Sequence, residues 1–282
     1  MEKKLLITGF EPFGGQTVNP SWEAVRRLPE VISEFRLVKM EVPVLFGGAV
    51  RAVLKRAEEV RPDVILCVGQ AGGRSKVTPE VAALNLRDAR IADNAGFMPQ
   101  GEPIEANGPA AYFATVPVRR VVDAVREKGI PCELSYSAGV YVCNDLLYGL
   151  LHHYEGTGVQ VGFIHVPYLP EQAGAGGADG RVSEEQAGAG GADGRASEEQ
   201  AGAGGADGRT SEEQAGAGGA DSRASEEQAG AGAADSRTSA QQDVSAVREG
   251  RPVPCMSLET IIEALEGAVK ACSAGDSKGG LL

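Results

Sequence analysis

Cys143 lies in YSAGVYVCNDLL, residues 136 to 147, directly ahead of a stretch with helical spacing whose Asn144 and Asp145 are good starting residues. A cysteine at a helix start meets backbone N–H groups that lack intrahelical acceptors and the positive end of the helix dipole, and both favour thiolate. The same amides could hold an oxyanion, so one reading of Cys143 is a nucleophile. The other is a small buried hydrophobe.

A nucleophilic thiol needs a base, and the chain has three histidines. His152 and His153 fall near the far end of the helix that Cys143 would begin, roughly 15 Å along it, where cations suit the dipole. That leaves His165, at the end of the strand-like GFIHVP, as the candidate by elimination, against a satisfied core histidine. Glu80 stands inside the apolar, strand-like VTPEVAALNL. Buried there, its carboxylate would need a partner and could orient an imidazole; on a half-exposed strand it would face solvent. Phe10 and Phe13 sit in TGFEPFGG, a glycine-flanked loop matching neither phosphate-binding pattern, and suggest an apolar wall for a small ligand or plain loop packing. Gln70, at a strand end in CVGQAGGR, and Arg90, in RDARIADN, either contact a ligand or cap backbone.

These residues must be positioned by regular elements. Apolar or alternating runs predict strands over 4–8, 36–42, 63–68, 132–137 and 159–166. Helical spacing predicts helices over 21–28, 48–60, 118–128, 144–154 and 257–271. The alternation implies an α/β fold, a mostly parallel sheet covered on both faces, with the active site at the carboxyl ends of the strands. The Gly-, Pro- and Asn-rich stretch 86–114 reads as a long surface loop of the kind that often carries function.

From Glu171 to Ala240 the sequence is five copies of a 14-residue repeat, EQAGAGGADGRVSE and variants, 70 of the 282 residues. The copies offer almost no apolar area to offset the entropy of ordering them, so disorder is expected. The array carries −9 of the net charge of −12 and leaves −3 on the other 212 residues, so the low pI says little about the folded part. No basic patch supports a nucleic-acid role. No apolar run is long enough for a membrane span, and the start lacks the features of a signal peptide. Five cysteines without CxxC spacing suggest neither disulfides nor zinc and fit a reducing cytoplasm.

Taken in order, TGFEPFGG, GQAGGR, residues 77–86, DARIADN, SAGVYVCN, GFIHVPYLPEQ and MSLETIIEALE resemble the pyroglutamyl-peptidase I, or pyrrolidone-carboxylate peptidase, family of cysteine peptidases. The resemblance covers essentially all 212 residues outside the array. It implies a three-layer α/β/α sandwich and a triad of Cys143 as nucleophile, His165 as base and Glu80 as orienting carboxylate. It implies further that Phe10 and Phe13 sandwich a lactam ring, that Gln70 lines the pocket and that Arg90 lies near the oxyanion. The substrates it implies are peptides with N-terminal pyroglutamate, with no metal or cofactor, in a homo-oligomer, often a tetramer. Residues 1–170 and 241–282 would form one peptidase domain. The array, which begins six residues after His165, would be an expansion of a short connection costing at most a few kcal/mol in loop closure.

Two rivals come from other classes. One is a catalytically silent α/β module whose acidic array binds a partner. The other is a nucleoside phosphorylase, for which TGFEPFGG lacks the phosphate-cradling pattern and a nucleophilic cysteine would have no use.

Overall fold

The computed structural model describes residues 2–175 and 253–273, all of which fall in one compact unit. Its elements run β1 (Lys3–Phe10), α1 (Pro20–Val25), β2 (Val31–Ile32), β3 (Phe35–Val42), α2 (Gly48–Val60), β4 (Val64–Gln70), β5 (Thr78–Pro79), β6 (Ala82–Leu84) and β7 (Ala111–Phe113). There follow α3 (Val118–Glu127), α4 (Val142–His153), β8 (Gln160–Val166), α5 (Pro170–Ala175) and α6 (Leu258–Ser273). The repeat array beyond Ala175, expected to be disordered, lies outside the described residues.

Six strands form one sheet in the order β2-β3-β1-β4-β8-β5. The pairs β1–β3, β1–β4 and β4–β8 are parallel, and short antiparallel strands close both edges. Parallel central strands are covered on both faces and so are apolar throughout, and every residue of β4 is buried. Alternation then sorts side chains into two cores. Leu5, Ile7, Leu66, Val68, Ile164 and Val166 pack with α1, α3 and α6 on one face. Leu6, Ile65, Cys67, Val161 and Phe163 pack with α2 and α4 on the other. The result is the expected α/β/α sandwich.

Three local departures have physical causes. The expected strand over 132–137 is present only as isolated bridges from Cys132 to Val77 and from Ser135 to Glu80, because Pro79 has no N–H to extend a ladder there. The long loop closes on a strand of its own, β7, paired antiparallel with β6. Finally α4 begins at Val142, so Asn144 and Asp145 lie inside the helix and are buried. Asn144 brackets the backbone of Leu84 as donor and acceptor and also donates to the Leu86 carbonyl. Asp145 accepts from Gly47 N at 2.6 Å and from Arg87 Nε at 2.6 Å. These side chains are spent outward, tying the helix start to its surroundings rather than capping it.

Candidate active site

Strand β8 ends with His165 at its penultimate position, paired in register with Gly69 of β4 and Thr78 of β5. Its Nδ1 lies 2.7 Å from Oε1 of Glu80, and neither residue has any exposed surface. Glu80 is brought there by its backbone: its N–H donates to the Phe163 carbonyl on the side of β8 that the edge strand β5 borders. The solvent-facing alternative for Glu80 is thereby excluded. A carboxylate can only accept, so the imidazole donates through Nδ1–H and leaves Nε2 as the lone-pair nitrogen. Among the described residues Nε2 is buried and has no hydrogen-bond partner. Burial holds the His165 pKa below the usual histidine range; the bond and charge of Glu80 act the other way, and the Arg74 guanidinium adds to the lowering. The imidazole is therefore neutral near pH 7, as a base must be.

Cys143 is the second residue of α4, whose cap residue Tyr141 makes no side-chain hydrogen bond to the helix end. The thiol faces β4: a Cβ built on Gly69 would meet Cys143 Sγ at 3.0 Å. Gly69 is also the cross-strand partner of His165, so one glycine places the thiol and the imidazole on the same sheet face at the same strand ends. Burial pushes the thiols of Cys67, Cys132 and Cys272 up to about 12. His152 and His153 close the other end of α4, and His152 Nδ1 meets the Tyr112 hydroxyl at 2.8 Å.

The remaining expected residues distribute as follows. Phe10 ends β1, is buried, and lies 6.4 Å from the Phe163 ring. Phe13 is half-buried on the loop beyond and lies 6.2 Å from Tyr141, the residue that caps the helix bearing Cys143. Both join the core cluster that contains Cys143. Gln70 is buried, but its side chain accepts from Gln172 Nε2 at 2.9 Å. Adjacent strand residues face opposite ways, so with Gly69 toward the thiol, Gln70 points to the other face. Arg90 is exposed, in the loop that Asp88 N–H ties to the Val140 carbonyl just ahead of Cys143. From the same loop it is Arg87 that reaches α4, through Asp145.

Three residues escaped the sequence reading. Arg74 donates to Glu80 Oε1 at 2.8 Å and to Thr78 Oγ1 at 2.6 Å. Gln172, in the first repeat copy, is buried; it accepts from Leu169 N and donates to the Val18 carbonyl and to Gln70. Tyr141 joins Phe13 and Phe46 in an aromatic cluster and donates to the Ala92 carbonyl. GQAGGR and LPEQ contained the first two in plain view, but nothing in either segment says which buried group a polar side chain will meet.

Among the described residues no group of three or more His, Cys, Asp or Glu is placed to hold a metal ion, and no helix is long and apolar enough to cross a membrane.

A thiol at a helix start, on the sheet face that also carries an imidazole held by a buried carboxylate, is an arrangement that suits a thiol-dependent hydrolase. The pyroglutamyl peptidase family model matches residues 3–184, and the chain belongs to that family. It is 50% identical over 174 residues to a pyrrolidone-carboxylate peptidase of Vibrio vulnificus, covering 61% of this chain and 82% of that one. With the Chromobacterium violaceum enzyme of the same name it shares 52% over 172 residues, 61% of this chain and 80% of the other. The crystal structure of Bacillus amyloliquefaciens pyroglutamyl peptidase I superposes with a TM-score of 0.68 at 33% identity, covering 97% of this chain and 98% of that one. For pyrrolidone carboxyl peptidase from Thermococcus litoralis the TM-score is 0.67 at 30% identity, with coverage of 96% and 93%.

Proposed function

We propose that the chain hydrolyses the amide bond after an N-terminal pyroglutamyl residue, with Cys143 as nucleophile, His165 as general base and acid, and Glu80 as the group that orients it. The observation that carries this reading is the buried 2.7 Å contact between Glu80 Oε1 and His165 Nδ1, which leaves Nε2 as a lone pair on the sheet face that Cys143 occupies. The relatives' names speak for the same activity over the silent-module alternative.

Cys143 gives its proton to His165 Nε2 and its sulfur attacks the pyroglutamyl carbonyl carbon. The oxyanion meets the N–H groups at the start of α4, which have no acceptor within the helix. Arg90 lies near that charge. Collapse of the intermediate expels the peptide amine, which takes the proton from His165, and leaves a thioester. Water attacks the thioester, giving a proton to His165 and releasing free pyroglutamate and the thiol. Phe10 and Phe13 wall the ring. An uncharged lactam enters an apolar slot where an ordinary N-terminal ammonium would lose its hydration without compensation.

The same reading takes residues 171–240 as an insert into a single peptidase domain, places the protein in the cytoplasm on its cysteine usage, and assembles it as a homotetramer. Light scattering on the purified chain reads the last point directly. The test of the activity is release of p-nitroaniline from pyroglutamyl-p-nitroanilide under reducing conditions by the full chain and by Cys143→Ala. Turnover by the first and none above background by the second is the expected result; no turnover by a folded full chain rejects the reading.

A further inference from the structure

Glu80 has no exposed surface, and its Oε1 takes two donors, His165 Nδ1–H at 2.7 Å and Arg74 at 2.8 Å. Its Oε2 is buried with no hydrogen-bond partner among the described residues. A carboxylate so placed is poorly solvated and depends on its donors to stay where His165 needs it. Among the described residues Arg74 forms an ion pair with this carboxylate, and its side chain is 14% exposed. It comes from the loop between β4 and β5, and a second bond, to Thr78 Oγ1, fixes it beside the strand residue paired with His165. The planar guanidinium thus spans the edge strand and the carboxylate, a geometry that sets where Oε1 sits.

Other titratable groups near the pair are directed elsewhere or serve the chemistry itself. From α4, Cys143 is the nucleophile, and Asp145 is committed to Gly47 and Arg87. The hydroxyl of Tyr141 donates to Ala92, and the Tyr168 ring lies against Gly72 in the loop after β4. Lys76 and Glu133 pair with each other at the surface.

We infer that Arg74 is a positioning residue for the reaction, holding the Glu80 carboxylate in place so that the imidazole keeps its Nδ1–H bond and presents Nε2. This rests on the peptidase reading above. With Arg74 present, adding a proton to the Glu80–His165 pair leaves a net positive cluster in a dry site. Without it, the same proton neutralises the cluster. The Arg74 charge lowers the His165 pKa, so removing the cation lets the imidazole take up its proton at higher pH.

The experiment is the pH profile of kcat/KM on pyroglutamyl-p-nitroanilide for the native chain, Arg74→Gln, Arg74→Met and Arg74→Lys, with folding checked by circular dichroism. Native turnover, abolished in Cys143→Ala, establishes the peptidase independently of Arg74. The neutral variants are expected to move the acid limb upward by about one to two pH units and to lower the plateau, since one nearby cation commonly shifts a pKa by that much. Arg74→Lys keeps the charge and is expected to hold the limb near its native position at reduced kcat. A folded neutral variant with an unmoved limb overturns the inference, as does a lysine variant whose limb moves as far as the neutral ones. If neither neutral variant folds, the lysine variant decides: a native limb supports the role and a displaced limb overturns it.

Discussion

The imidazole of His165 is useful because of what it is denied. Its ring is buried, its side-chain hydrogen bond among the described residues goes through Nδ1, and its lowered pKa keeps Nε2 unprotonated across the neutral range. The acid limb of kcat/KM is accordingly expected below pH 6.5, the ordinary value for histidine, and a limb above that value in the native chain counts against the assignment. Stability follows the same linkage. The unfolded chain binds a proton at His165 below about pH 6.5 while the folded chain resists it, so this group's contribution is greatest above that pH and falls as the pH drops toward the depressed folded value. Denaturant midpoints measured from pH 8 down to 5 read that loss. Glu80→Gln keeps the shape of the carboxylate but offers an amide that holds the ring less well and in either orientation. Its kcat is expected to fall about 10³- to 10⁴-fold, as when the carboxylate of a comparable triad is replaced, with KM changed far less.

Two elements, β4 and α4, decide how close the chemistry comes together, and a glycine sets the spacing. A methyl on Gly69 would sit 2.7 Å from Phe163 Cζ as well as 3.0 Å from the thiol, so either the ring or the helix start must retreat. Gly69→Ala is expected to lower kcat/KM by about 10- to 100-fold, since displacements near 1 Å at reacting atoms cost this much, with a drop of a few degrees in thermal midpoint. An alanine variant of native activity would show that the thiol is not packed against that strand. The sequence carried the strands and helices well because their periods differ and because β4 and β8 are apolar runs ended by polar residues. It offered Cys143, His165 and Glu80 as candidates beside ordinary structural readings, and it was the family resemblance that joined them as a triad. What it could not yield were pairings of distant segments. Nothing local says that Arg74 turns back onto Glu80, that Asn144 and Asp145 brace rather than cap their helix, or that Pro79 interrupts the bridge to residues 132–137. Each is settled by tertiary neighbours, which periodicity does not encode.

For the whole molecule, Gln172 of the first repeat copy is bonded into the fold. Its side chain's three hydrogen bonds join the segment after β8, the loop before α1 and the last residue of β4. Gln172→Leu strips a buried backbone N–H, a half-buried carbonyl and the Gln70 amide of their partner, and is expected to cost about 2–4 kcal/mol in urea unfolding. Deleting 171–240 is expected to leave turnover and the unfolding midpoint close to native, because Gln241 and Gln242 then follow Pro170 and an amide returns to the vacated place. A deletion variant as unstable as Gln172→Leu would refute this. The arithmetic of the array extends the point. Each copy opens with Glu-Gln, at 171, 185, 199, 213 and 227, and the chain resumes with Gln-Gln at 241. The tandem unit is thus in phase with the fold: losing any whole number of copies returns a glutamine to position 172. Gain or loss of whole copies leaves a glutamine at that position, whereas loss of residue 171 alone would bring Ala173 beside Gln70.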